Sequence, residues 1–177
     1  MGFLVAVVAL IGAMTVLNLL LIMAVMRRLK QLNSFSTTNN NGSDIPELPI
    51  GSRIPEFRAE STSGAVVTTG DLIGSESVFA FFDTGCSVCK TTIPKLIDHA
   101  DVHGLKADQV IAVVGGSENS AGEYVEKLNG SATVIVEESV GPVASAFSIA
   151  GFPAFVIVGD DGRVARAGTQ STLTAKA

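Results

Sequence analysis

Cysteine and histidine are scarce in this chain of 177 residues, with two of each, and tryptophan is absent. Both cysteines, Cys86 and Cys89, lie in one Cys-x-x-Cys stretch, so no framework of disulfides can staple the fold. A structural zinc site needs four ligands, and without a second cysteine pair the only nitrogen donors are His99 and His103. Acidic residues are missing from the first thirty positions and basic ones are few after them. Arg27, Arg28 and Lys30 take three of the twelve basic residues, which leaves nine against seventeen acids in the remainder. No basic cluster there can meet phosphates, so nucleic acid is not an expected partner, and an anionic lipid surface would repel that part of the chain.

What the chain has in abundance is apolar sequence near its start. From Phe3 to Met26 it reads FLVAVVALIGAMTVLNLLLIMAVM, 24 residues without a charge. At ~1.5 Å per residue such a helix would be about 36 Å long, enough to cross a hydrocarbon core of about 30 Å with some tilt. A cleavable signal peptide needs a basic region before a shorter apolar core, whereas here MG precedes the run and RRLK follows it. Residues 1–30 are therefore expected to form a transmembrane anchor with its basic flank, contacting the lipid bilayer through residues 3–26. Residues 31–50, rich in Asn, Ser and Thr, read as a flexible linker with a reach of roughly 25 Å.

Residues 51–177 are expected to form one domain. AVVT (65–68) reads as a short strand, and SVFAFFD (77–83), QVIAVVG (109–115) and ATVIVEE (132–138) as buried strands. Ser87 to His103 has apolar residues at Val88, Ile93, Leu96 and Ile97 and stops at Gly104, which predicts a helix. SAGEYVEKLN (120–129) is amphipathic, and PVASAFSI (142–149) opens with proline at a helix start. AFVIVGDDGRVARAG reads as a hairpin turning at Asp160-Asp161-Gly162. Strands alternating with helices and closing on a hairpin imply a mixed α/β sheet with helices on its faces. The VVGGSENSAG stretch fits neither dinucleotide nor P-loop spacing and reads as an ordinary turn. His99 and His103, four apart near Asp98, Asp101 and Lys106, read as two solvated residues at a helix end rather than a metal pair.

The cysteines fall where a buried strand gives way to a helix. Unpaired N–H groups and the positive end of the helix dipole would stabilise a thiolate at Cys86, with Cys89 one turn into the helix and less exposed. The expected cycle has Cys86 attack a substrate disulfide and Cys89 resolve the mixed disulfide. A zinc ligand pair and two inert core cysteines are the competing readings of the same residues.

Three features together resemble the thioredoxin superfamily: CSVC after an apolar strand, Pro94 five residues past Cys89, and GFPAFVIVGDDGRV some 65 residues on. The segment GSRIPEFRAESTSGAVVTTGDLIGSESVFAFFDTGCSVCK and the long interval before Pro153 are similar to the membrane-tethered TlpA, ResA and MauD group of disulfide reductases, over residues 51 to 169. The resemblance implies a thioredoxin-like mixed sheet and catalytic Cys86 and Cys89. It also implies a structural Pro94 that kinks the active-site helix, and Phe152 with a cis Pro153 as the substrate-binding residues. No cofactor and no metal are implied; the partners are a protein substrate with disulfides or thiols and an electron-donating redox protein. Gly85 and Ser87-Val88 stand where the family usually has Trp and Gly-Pro or Glu-Pro, Thr92 where several members have a glutamate, and Ala80 where thioredoxin has its buried Asp. After RVARAGTQ only STLTAKA remains where the family adds a covering helix.

A membrane-anchored thiol-disulfide oxidoreductase is thus the expected function. A peroxiredoxin-like peroxidase would require Pro at 79 and Thr at 83, where Phe79 and Asp83 stand, and a copper chaperone would want a histidine beyond His103. A non-catalytic binding module presenting the Pro153 region is the third reading. The basic residues after the anchor predict a cytoplasmic domain, whereas the family resemblance predicts an extracytoplasmic one, the side on which a tethered reductase is most useful.

Overall fold

The computed structural model describes residues 48–174 and, nearer the N-terminus, the helical residues 2–4, 7, 10, 12, 14, 15 and 19. The expected anchor and linker lie largely outside the described residues, among which no helix is long and apolar enough to cross a membrane. The chain divides into two compact units, Met1–Asn41 and Gly42–Ala177, and the fold below belongs to the second.

Its elements run β1 (Arg58–Glu60), β2 (Val66–Thr68), a 3-10 turn (Thr69–Leu72), β3 (Ser77–Asp83), α1 (Cys89–His103), β4 (Val110–Gly115) and α2 (Glu118–Leu128), followed by β5 (Thr133–Glu137), α3 (Pro142–Ala146), β6 (Ala154–Val158), β7 (Val164–Gly168) and α4 (Ser171–Thr174). β1 and β2 form a separate antiparallel hairpin, and the main sheet has the order β5-β4-β3-β6-β7. β3 runs parallel to β4, and β4 to β5, whereas β6 is antiparallel to both β3 and β7.

The central strand sorts the core by residue parity, because successive side chains of a strand point to opposite faces. Val78, Ala80 and Phe82 join Cys89, Ile93 and Leu96 of α1 and Tyr124 and Leu128 of α2 on one side. Phe79 and Phe81 join Phe147, Val143 and Leu72 on the other, where Phe79 and Phe147 approach to 4.5 Å between ring centroids and Phe57 meets Phe79 edge-on at 5.6 Å. Residues 78 to 82 are all fully buried, which stabilises the fold by about 1.5–3 kcal/mol for each large side chain.

The helices follow from local signals. Gly104 takes the left-handed conformation, φ 64°, and its N–H donates to the Ala100 and Asp101 carbonyls at the end of α1. α3 is shorter than the expected 142–149. Glu137 accepts hydrogen bonds from the Val143 and Ala144 N–H groups at its start, and Ser148, at φ 53°, turns the chain toward β6. The 3-10 turn is closed by Asp71, whose carboxylate accepts from the Thr68 hydroxyl and N–H and is held below its usual range by those bonds.

His99 departs from the sequence expectation. It is 5% exposed rather than solvated, because α4 packs against it: Nδ1 lies 2.9 Å from the Leu173 carbonyl oxygen, and the two residues are buried together. The four residues of α4 therefore form a single short turn against α1, with His99 as their anchor. His103 stacks on His99 at 4.0 Å between centroids, and its Nδ1 bonds the His99 carbonyl. The Nδ1 contact places the neutral imidazole's proton on that nitrogen, while Nε2 is buried without a partner among the described residues. Protonation would add a buried donor with no acceptor. Burial accordingly pushes the His99 pKa down; the neighbouring His103 and Arg166 add to this, and the Leu173 carbonyl and Glu76 oppose it.

A depressed folded-state pKa means that the unfolded chain binds the proton more readily, so His99 contributes stability above about pH 6.5 that is lost as pH falls below it. Thermal unfolding of residues 48–174 should show Tm declining from pH 7.5 to 5.5, with a shallower decline in His99→Gln. An equal slope in both proteins would refute this assignment.

Candidate active site

β3 is apolar from Val78 until Asp83, the first residue of the strand that is not buried, and there the chain turns through Thr84 and Gly85 to Cys86. Helix α1 opens at Cys89 itself, whose N–H donates to the Cys86 carbonyl at 3.3 Å. The expectation that Cys89 lies one turn inside the helix is thereby corrected. Ser87 and Val88 form the turn, and Cys86 precedes the first helical residue by three positions. The two cysteines are joined as a disulfide with Cα atoms 5.5 Å apart. Cys89 is fully buried among Ala80, Phe82 and Ile93, whereas Cys86 is only partly buried and Val88 beside it is exposed.

Strand direction brings the next component. β6 is antiparallel to β3 with Phe81 opposite Ala154, so the residues just before β6 arrive beside the residues just after β3. Phe152-Pro153 is a cis peptide bond, and the Phe152 carbonyl oxygen is 3.6 Å from Cys86 Sγ. Phe152 and Pro153 are both partly exposed. The structure thus gathers Cys86, Cys89, Phe152 and Pro153 at one end of the sheet. Pro94 lies inside α1, one turn beyond Lys90, whose carbonyl it cannot serve because proline has no N–H. It lines a cavity of about 350 Å³ with Lys90, Ile93, Ile97, Asp98 and Lys127.

Ala80 is fully buried in the core, and among the described residues no carboxylate is buried with it. The Thr92 hydroxyl, also buried, donates to the Cys89 carbonyl at 2.7 Å and leaves the Cys89 sulfur to apolar neighbours. Lys90 and Lys127 both bind Glu123, at 2.5 and 2.9 Å, and hold its carboxyl down to about 2. Burial raises the Tyr124 hydroxyl, which donates to the Asp83 carbonyl at 3.2 Å. Among the described residues no cluster of three or more His, Cys, Asp or Glu side chains could hold a metal ion.

Sequence reasoning passed over Asp83 and its neighbours. The Asp83 carboxylate accepts from the Gly85 N–H at 2.8 Å and from the Ser139 hydroxyl, and its carbonyl accepts from the Cys86 N–H at 3.1 Å. The turn after β4 is more than a turn: Thr84 N–H donates to the Gly115 carbonyl, and a Cβ at Gly116, φ 143°, would sit 2.2 Å from Thr84 Oγ1. Asp83 followed by Gly85 is a local turn signal, but the Ser139 contact spans 56 residues and leaves no local trace.

A family model described as AhpC/TSA family matches residues 50–167. The thiol-disulfide oxidoreductase ResA of Bacillus subtilis is 25% identical over 124 residues, covering 70% of this chain and 69% of that protein. A solved structure of a putative thiol:disulfide interchange protein DsbE from Chlorobium tepidum superposes with a TM-score of 0.61 at 22% identity, covering 70% of this chain and 86% of the other. A putative thioredoxin from Neisseria meningitidis does so with a TM-score of 0.56 at 26% identity, covering 67% and 80%. The fold is thioredoxin-like.

Unequal burial makes a chemical prediction. After reduction, iodoacetamide should label Cys86 at least tenfold faster than Cys89 in the native protein, as read by peptide mass spectrometry; equal rates would mean that Cys89 is not shielded.

Proposed function

Because the chain belongs to the AhpC/TSA family and carries its two cysteines at disulfide distance, we propose that it is a thiol-disulfide oxidoreductase exchanging disulfides with protein substrates from a membrane tether. The observation that carries this reading is the bridge between a partly exposed Cys86 and a fully buried Cys89, beside the Phe152 carbonyl and Pro153. In the reductive direction the Cys86 thiolate attacks one sulfur of a substrate disulfide, and the other sulfur leaves as a thiolate that takes up a proton. Cys89, deprotonated, then attacks Cys86 Sγ; the second substrate thiol is released and the Cys86–Cys89 disulfide forms. Two electrons from an external dithiol redox protein return the pair to its thiols. Phe152 and Pro153 border Cys86 and hold the substrate chain in extended form, and Pro94 shapes the helix that carries Cys89.

A peroxidase reading has less support. Phe79 is locked in the aromatic core and Asp83 is committed to Gly85 and Ser139, so neither position supplies the proline and threonine that the peroxidase pattern needs. A binding module with incidental cysteines leaves the unequal burial of the pair without a role.

The soluble domain should reduce insulin with dithiothreitol as donor, and Cys86→Ser should lower turnover at least a hundredfold, while Cys89→Ser should retain substrate as a mixed disulfide that mass spectrometry identifies. No turnover, together with unaltered partner binding in Cys86→Ser, would favour the binding module.

The tether is supported by the 24 uncharged residues from Phe3 to Met26, and the domain acts on the extracytoplasmic side. Protease added to intact cells should therefore cleave residues 51–177; protection until lysis would place the domain in the cytoplasm.

A further inference from the structure

We propose that Asp83 is a positioning residue that governs Cys86 by fixing the turn before it and setting a carboxylate charge in that turn. Its carboxylate takes the Gly85 N–H and its carbonyl takes the Cys86 N–H, so two groups that would otherwise be available to a thiolate are spent on one residue. The aspartate is fixed from outside the turn: Ser139, in the loop between β5 and α3, donates to its second carboxylate oxygen, and Tyr124 of α2 donates to its carbonyl. Gly85 belongs to the same device. A Cβ there would lie 3.1 Å from Asp83 Oδ1, tighter than ordinary contact, so a side chain before Cys86 and this carboxylate compete for one space.

The consequence is a thiol that ionises reluctantly. The carboxylate stands two residues before Gly85 and three before Cys86, and a nearby negative charge disfavours a second one on sulfur. Of the other charged groups at this end, Lys90 of α1 is engaged with Glu123 of α2 and Glu137 of β5 with the first N–H groups of α3, while Glu118 at the start of α2 and Glu138 after β5 add negative charge of the same sign as Asp83. The inference rests on the redox reading of the pair, and its test does not require a protein substrate.

Asp83→Asn keeps an acceptor for the Gly85 N–H and removes the charge; Asp83→Ser keeps the local turn if the amide fails to fold. Two measurements apply to each reduced and refolded protein: the pH midpoint of Cys86 alkylation, and the equilibrium with glutathione, in which two glutathione thiols become one disulfide as the Cys86–Cys89 disulfide becomes two thiols. Both variants should lower the midpoint by about half a pH unit or more, roughly threefold in the ionisation constant, and, at a pH above both midpoints, shift the glutathione equilibrium toward the dithiol by a similar factor. Asp161→Asn, in the turn at the far end of β6, removes one charge without approaching Cys86 and should move neither. Midpoints unchanged in the Asp83 variants, or moved equally by Asp161→Asn, overturn the proposal. If wild-type protein fails to reduce insulin while the Asp83 variants shift the midpoint, the functional reading falls and the positioning role stands. If wild-type protein is active and the Asp83 variants leave the midpoint unmoved, the positioning role falls and the functional reading stands.

Discussion

Burial of β3 on both faces is the constraint from which the site follows. Its backbone is paired on one edge with β4 in parallel and on the other with β6 in antiparallel, and Val78, Phe79, Ala80, Phe81 and Phe82 have no solvent exposure. A slip of one residue would exchange the two core faces, sending Phe79 and Phe81 toward α1 and Val78 and Phe82 into the aromatic cluster of Phe147. The register is therefore fixed by packing, and the place where the strand leaves the core is fixed with it. That place is Asp83, the only charged residue of β3, and Cys86 follows within one turn.

The neighbouring strands deliver the rest by direction alone. Parallel β4 and β5 end at the same edge as β3, so Gly115, Gly116, Glu137 and the loop bearing Ser139 converge there. Antiparallel β6 begins at that edge, which puts Phe152 and Pro153 against Cys86 although they are 66 and 67 residues away in sequence. The chain leaves β3 toward β4 and β5 on one side and returns to β6 on the other, and such reversals at the carboxyl ends of parallel strands open the crevices in which α/β folds bind and react.

The strands were legible because each is a short apolar run bounded by turn residues, and β3 occupies the boundaries that its pattern predicts. Helix starts were less so. α1 begins two residues later than its periodicity suggests, since Ser87 and Val88 are used in the turn that joins the cysteines, and α3 stops early where Ser148 redirects the chain into the Phe152-Pro153 segment. The cysteine pair and both prolines could be placed from spacing and family likeness. His99 could not, because its burial depends on Leu173, 74 residues away. Asp83 was hidden for a similar reason: an aspartate before glycine looks like turn chemistry, and its tie to Ser139 exists only in three dimensions.

These contacts revise how Cys86 is activated. A thiol at a helix start gains from the dipole and from free N–H groups, but Cys86 precedes α1 by three residues, its own N–H serves the Asp83 carbonyl, and the group its sulfur faces is the Phe152 carbonyl. A carbonyl beside sulfur favours the protonated thiol, which can donate to it, over the thiolate, which cannot. Cys89 is buried among apolar side chains, surroundings that disfavour charge on a sulfur, and Thr92 spends its hydroxyl on the Cys89 carbonyl.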